Sequence, residues 1–277
     1  MSENERHSRR DGPPLAEEAD KIEERTGLRT PVIYEIVRRQ GEEEMARPAT
    51  SLWWSGVAAG LSISFSLLAQ AILRSELPDA PWRDLVSSLG YVVGFLMVVL
   101  GRQQLFTENT ITMVLPVMAD FNLSNLGRMA RTWAIVLVAN IAGTLLAALF
   151  CSYTPVLAPQ LLDAMLEISL HAMGHDWAGM FFKGISAGFI MAAMVWLIPS
   201  AETAQFWVIA FMSYLIAAGE FSHIIAGSVE AFLLAVNGQI ALAPMIVNFM
   251  VPTLLGNIVG GTALFALLSY AQVMKEI

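Results

Sequence analysis

Gly101-Arg102-Gln103-Gln104-Leu105-Phe106-Thr107-Glu108-Asn109 interrupts one long apolar segment of the chain, and Gly219-Glu220-Phe221-Ser222-His223, followed shortly by Gly227, interrupts another. Neither stretch continues a lipid-facing helix, because glycine weakens it and charged or amide side chains are costly in hydrocarbon. A break of this kind frees backbone N–H and C=O groups, which persist only where they are buried in protein or line a wet cavity. Two breaks at matching places in two halves of a chain point to a solute site near mid-membrane.

The membrane assignment follows from composition. Of 277 residues, 56% are hydrophobic and 14% charged, and the mean hydropathy is +0.58, too apolar for an ordinary soluble domain. The formal charge of −8 is unevenly spread, since residues 1–47 hold 9 of the 16 Lys/Arg and 12 of the 24 Asp/Glu. A polar head over 1–47 therefore precedes a nearly uncharged body over 48–277. No apolar run in the head has the length of a signal-peptide core. One cysteine, Cys151, excludes an internal disulfide or a cysteine-built metal site, and is expected to pack as a small apolar residue. With no phosphate-binding glycine loop and no nucleic-acid-binding basic patch, neither a soluble cofactor nor a nucleic-acid partner is expected.

Residues 1–29 are charged and weakly patterned, which predicts mobility. Thr30-Pro31 reads as an N-cap followed by proline at the first helical position. Val32, Ile33, Ile36 and Val37 then form an apolar stripe beside Arg38 and Arg39, predicting a short amphipathic helix. It lies on the membrane surface or docks on protein; the pattern fits both. Six membrane segments follow, near 50–73, 85–118, 129–151, 178–199, 206–235 and 245–273, with the second and fifth broken. Each unbroken one has about the 20 apolar residues that cross a ~30 Å core. An interfacial helix is expected within 155–176, where Leu161, Leu162, Met165 and Leu166 recur at helical spacing. Arg38, Arg39, Arg47, Arg128 and Arg131 fall on one side of these segments, with Arg74 and Arg83 on the other. The bias places the N-terminus in the cytoplasm, and the even count returns the C-terminus, with Lys275, to the same side.

The halves repeat. Asn140-Ile-Ala-Gly143-Thr144 in the third segment resembles Asn257-Ile-Val-Gly260-Gly261-Thr262 in the sixth, at an offset of 117 that carries Phe106 onto His223. Ala58-Ala59-Gly60-Leu61 echoes Ser186-Ala187-Gly188-Phe189. With three crossings in each unit the halves must be antiparallel, giving an all-α membrane fold with an inverted 3+3 repeat.

Candidate functional residues cluster at the breaks. His223 is the sole histidine of the membrane body, and an ionisable residue inside a membrane segment is a functional candidate. Its unperturbed pKa near 6.5 suits it to stabilising or protonating a passing anion. Leu105 and Phe106 can form an apolar constriction, and Thr107 offers a hydroxyl beside it. The half-helices are expected to begin near Asn109-Thr110 and Gly227-Ser228, with their positive ends toward mid-membrane, which suits an anion. Lys183 opens the fourth segment, either drawing anions to the mouth or snorkelling to an interface. Glu108 either caps the following half-helix through its dipole or pairs with Arg102. Glu167, His171 and His175 have helical spacing, but a fourth ligand is missing and no metal is expected.

These residues resemble the formate/nitrite transporter family over 48–273. Leu105-Phe106-Thr107 is similar to its Ω-loop motif, and His223 to its central pore histidine. Lys183-Gly184-Ile185 with Val195-Trp196 is similar to the fourth-helix pattern. Asn248, Pro252, Gly256-Asn257-Ile258 and Gly260-Gly261 resemble the sixth-helix signature. The run from Arg102 to Thr110, with Gly227-Ser228-Val229-Glu230, most resembles a YfdC-like inner-membrane branch. The resemblance implies an aquaporin-like six-helix protomer, a homopentamer with a pore in each protomer, and passage of small monovalent weak-acid anions such as formate or nitrite. It also implies proton coupling at the histidine between two apolar constrictions. The chain departs from the family pattern at Gln104, Gly188, Ser222 and Gly227, where the family carries acidic or amide residues. The function expected is a channel or proton-linked transporter of such anions in a bacterial inner membrane. A conduit for small neutral solutes, an intramembrane enzyme using His223 with Glu220 or Glu230, and a non-transporting sensor or scaffold are the alternatives.

Overall fold

The computed structural model describes residues 27–276, and the stretch expected to be mobile lies, over 1–26, outside the described residues. Every element among the described residues is helical. Helix α1 spans Thr30–Ala46, α2 Ala49–Glu76, and α3 Arg83–Leu100, with a tight turn at Ser88–Tyr91. Helices α4, Phe106–Thr112, and α5, Val114–Ala119, follow the first interruption. Then come α6, Leu123–Tyr153, α7, Pro159–Ala172, and α8, Trp177–Ala201. Helix α9, Gln205–Ala218, and α10, Ile224–Val236, flank the second interruption. Helix α11 runs over Leu242–Val273, with wider π-helical turns at Met245–Met250 and Val259–Ala266.

Helices α2, α3, α6 and α11 are each long and apolar enough to cross a membrane. The run Trp177–Ala218 is as well, whereas α10 is a shorter apolar helix. That run turns at Glu202, whose φ of 38° separates α8 from α9.

Two tightly packed helix pairs frame the molecule, α2 with α6 and α8 with α11. Small residues permit the approach. A Cβ built on Gly60 would stand 2.8 Å from the Gly143 Cα, and one on Gly256 would stand 2.9 Å from the Gly184 Cα. The half-helices lie against these pairs, α10 on α6 and α4 on α8. Helix α7 packs on α2 and α10.

Of the two arrangements open for the first helix, α1 adopts docking on protein, against α5, α8 and the C-terminal end of α11. Its buried face is Tyr34, Val37, Gly41 and Met45; of the expected stripe Val37 is buried and Ile33 packs beside it, while Val32 is exposed and Ile36 half-buried. The Tyr34 ring lies 6.0 Å from Tyr270, and the Thr112 hydroxyl donates to Glu44 Oε2 at 3.0 Å. Those partners lie more than sixty residues away in sequence, so the helix's own pattern did not reveal which face they cover.

Candidate functional site

Each interruption is built the same way. Helices α3 and α9 end at Gly101 and Gly219, after which Arg102 and Glu220 take left-handed φ values of 49° and 52°. The Gln103 N–H reaches back to the Val98 carbonyl at 3.0 Å, and the Phe221 N–H to Ile216 at 2.9 Å. With the matching Arg102→Val99 and Glu220→Ala217 bonds, these are Schellman C-caps. The chain then extends through Leu105, at φ −108° and ψ 127°, and His223, at φ −108° and ψ 124°, before each half-helix starts.

The breaks therefore superpose at an offset of 118, and His223 matches Leu105 instead of Phe106. The half-helices begin at Phe106 and Ile224, about three residues earlier than Asn109 and Gly227. Phe106 lies 34 residues before Asn140, but Ile224 lies 33 before Asn257. The first half is one residue longer there, so an offset read from the asparagines misplaces the breaks by one.

Those asparagines hold the breaks in place. Asn140 Oδ1 accepts from the Phe106 N–H at 2.9 Å, while its Nδ2 donates to the Gly56 and Gln104 carbonyls, both at 2.8 Å. Asn257 repeats the set, accepting from Ile224 N–H at 2.8 Å and donating to the Gly184 and Ser222 carbonyls at 2.8 and 2.9 Å. The bonds to Phe106, Gln104, Ile224 and Ser222 satisfy backbone left unpaired where the helices stop, and those to Gly56 and Gly184 tie the breaks to carbonyls inside α2 and α8. Sequence reading found Asn140 and Asn257 as markers of the repeat but not as site residues; their recurrence beside both breaks was the available signal.

At the waist the two breaks meet. Thr107 Oγ1 lies 2.8 Å from His223 Nε2, with His223 only 2% exposed. His223 Nδ1 accepts from the Ala226 N–H at 3.1 Å, so the histidine side chain is itself the N-cap of α10. An Nδ1 lone pair engaged this way leaves the proton of a neutral ring on Nε2, from which it donates to Thr107. The Phe95 ring packs edge-on against the imidazole at 5.2 Å. Leu105 and Phe106 are fully buried, and Phe106 meets Trp133 edge-on at 5.5 Å.

The half-helix N-termini are largely occupied already. Asn140 and Asn257 take the first N–H of each, Leu105 O takes Glu108 and Asn109, and His223 takes Ala226 and Gly227. The N–H groups of Thr107 and Ile225, the second residue of each half-helix, are left without a hydrogen-bond partner among the described residues.

A cavity of about 460 Å³ opens on the α7 side and reaches His223, with Ser222, Gly227 and Glu230 along its floor. A Cβ on Gly227 would stand 2.5 Å from the Phe249 ring, so glycine lets that ring pack directly on this floor. The Ser222 hydroxyl points to Met180 Sδ at 3.4 Å. Asn109 lies apart from the cavity, donating to Gln104 Oε1 at 3.3 Å while its carbonyl accepts from the Trp133 indole.

At the cavity mouth Lys183 is paired, donating to Glu220 Oε2 at 3.0 Å, and the His171 ring lies 3.1 Å from Glu220 Oε1. His175 stands 3.9 Å from the same carboxylate, its imidazole pushed below the ordinary value by burial and then by Lys183. Glu167 turns away from the histidines to Arg74, at 2.8 Å, which holds its carboxyl below the ordinary carboxylate value. Arg74 also pairs with Asp84. Glu108 occupies the first turn of α4, the dipole-favoured position, with no ion pair to Arg102 among the described residues and Oε1 unpartnered.

A model of the formate/nitrite transporter family matches residues 31–271. The chain belongs to that family. It is 44% identical to the inner membrane protein YfdC of Escherichia coli over 92% of this chain and 82% of that one. It is 29% identical to the formate channel FocA of Haemophilus influenzae, over 78% of this chain and 84% of that one. Among solved structures, an FNT family ion channel aligns with TM-score 0.76 at 19% identity, covering 87% of this chain and 98% of that one. A pentameric formate channel with formate bound aligns with TM-score 0.70 at 21% identity, covering 82% and 98%. The fold is therefore that of the family's channels.

Proposed function

We propose that this protein conducts small monovalent weak acids of the formate and nitrite type across a bacterial inner membrane, as a channel or proton-linked transporter. The observation that carries the reading is the 2.8 Å contact between Thr107 and His223, which joins the two breaks at the foot of the cavity. Six crossings follow if α3 with α4–α5, and α9 with α10, each count as one, arranged as an inverted 3+3 repeat with both termini cytoplasmic. A homopentamer agrees with one of the structural neighbours, which is a pentameric formate channel.

In this reading Leu105, Phe106 and Phe95 strip water from the solute at the waist, and the Thr107 hydroxyl, oriented by the imidazole N–H from which it accepts, meets it with a donor. The Thr107 and Ile225 N–H groups add two unspent backbone donors, suited to an oxyanion. Ser222 and Gly227 flank this point from the cavity, while Asn109 stands apart from it, bonded to Gln104 and Trp133. Lys183 contributes to the mouth only as half of an ion pair with Glu220, which weakens its pull on distant anions. That neutralised mouth and the apolar waist favour a second reading, a conduit for small neutral solutes. Flux of labelled formate, nitrite and glycerol into proteoliposomes at several pH values separates the two. Weak-acid flux well above protein-free vesicles, with a pH profile altered in His223→Phe, is expected; glycerol flux alone would end the weak-acid reading.

A further inference from the structure

Seven residues beyond His223 on α10 stands Glu230. Seven residues make nearly two helical turns, so Glu230 lies on the same face as His223, roughly 10 Å along the axis. Gly227 lies between them, with the Phe249 ring packed against it. Glu230 is only 8% exposed, lines the cavity, and has neither a hydrogen bond nor an ion pair among the described residues. Buried carboxylates are ordinarily paired, and this one instead faces the cavity.

The charges around it do not compensate it. Arg74, from α2, is spent on Asp84 and Glu167. At the mouth Glu220 is held by Lys183 and His171, with His175 beyond. Tyr91 from α3 and Phe249 from α11 complete the walls without adding positive charge.

We propose that Glu230 is a solute-binding, specificity-determining residue, whose carboxyl group accepts a hydrogen bond from an incoming solute that carries no net negative charge. The class of solute is a small hydrogen-bond donor, with the neutral form of a weak acid as the primary case. This rests on the reading of the chain as a conduit, and it explains how a family path works here behind an acidic vestibule. The solute shares its proton with Glu230 in the cavity and reaches the His223–Thr107 pair with no anion crossing the vestibule unaccompanied.

The test compares purified full-length wild type, Glu230→Gln and Glu230→Asp in proteoliposomes at one fixed pH. The probes are formate, nitrate (which stays ionised) and methylammonium, a cationic donor. In wild type and Glu230→Asp, formate passes and nitrate is excluded. In Glu230→Gln the nitrate-to-formate ratio rises several-fold at a pH where the wild-type carboxyl is ionised, because the side chain at 230 is then neutral and repels no anion. Methylammonium flux in wild type that disappears in Glu230→Gln would support the same role with a cationic solute. A monodisperse Glu230→Gln with wild-type ratios for all three probes overturns the proposal for Glu230 alone. Wild-type protein that moves no probe overturns the conduit reading and this inference together.

Discussion

Asn140 and Asn257 each hold a break in place, since each bonds two backbone groups of the break loop and one carbonyl inside a neighbouring helix. Asn257→Ala orphans the Ile224 N–H and the Ser222 carbonyl, at about 1–3 kcal/mol for each group left buried and unpaired. A loss of several kcal/mol, read as a large fall in detergent-solution Tm, is expected, whereas Leu255→Ala on the exposed face moves Tm little. Thr107 gives a smaller and more specific case. Thr107→Val keeps the shape but leaves the His223 Nε2–H without its acceptor, for about 1–3 kcal/mol. Thr107→Ser retains the hydroxyl, so it should restore both stability and flux if that bond matters. The sequence placed Thr107 and His223 in separate breaks, but their contact spans 116 residues and no local pattern encodes it.

Among elements, α1 and the break loops carry the sharpest consequences. Gly41 presses on the Thr112 carbonyl with no room for a Cβ. Gly41→Leu is expected to release α1, seen as faster amide exchange over 30–46 with little change elsewhere. The docked helix also answers to pH. Burial raises the Glu44 carboxyl above its ordinary value, partly offset by the Thr112 hydroxyl. The docked state therefore binds that proton more tightly than the undocked one, and docking strengthens as pH falls from neutral toward about 4.3. Glu35 behaves oppositely and acts on the helix instead of its docking, since Arg38 and then Arg39 of the same helix lower it to about 2. Its contribution is complete above roughly 4.3 and fades only as pH falls through about 2. Between neutral pH and about 4.3, Glu44 alone of the two should show, and Glu44→Gln should flatten the exchange of α1 against pH. The left-handed Arg102 is a further point of strain, with no ion pair among the described residues to offset it. Arg102→Gly relieves about 1–2 kcal/mol and raises Tm.

For the whole molecule, the outward faces of the long helices bear large apolar side chains such as Phe65, Phe150, Phe211 and Leu268. A belt of this kind needs lipid or another copy against it. On the pentameric reading, native mass spectrometry in mild detergent gives five times the 30.2 kDa chain; a monomer that retains full flux would remove the assembly from the mechanism. The buried amide, imidazole and carboxyl side chains Gln104, Asn109, Asn140, His223, Glu230 and Asn257 gather at the breaks and the α7-side cavity, while buried hydroxyls are spread along the helices.

Composition, the run lengths and the two glycine-led interruptions by themselves determined a helical membrane protein with paired breaks, because hydrocarbon tolerates so few ways to place a polar backbone. They also determined that His223, Leu105, Phe106 and Thr107 belong to those breaks. Only the tertiary structure decided the one-residue register between halves, the docked face of α1, the pairing of Lys183 with Glu220 and the unpaired carboxyl of Glu230. Each of these depends on which distant groups a side chain meets after packing, and local periodicity carries no information about partners a hundred residues away.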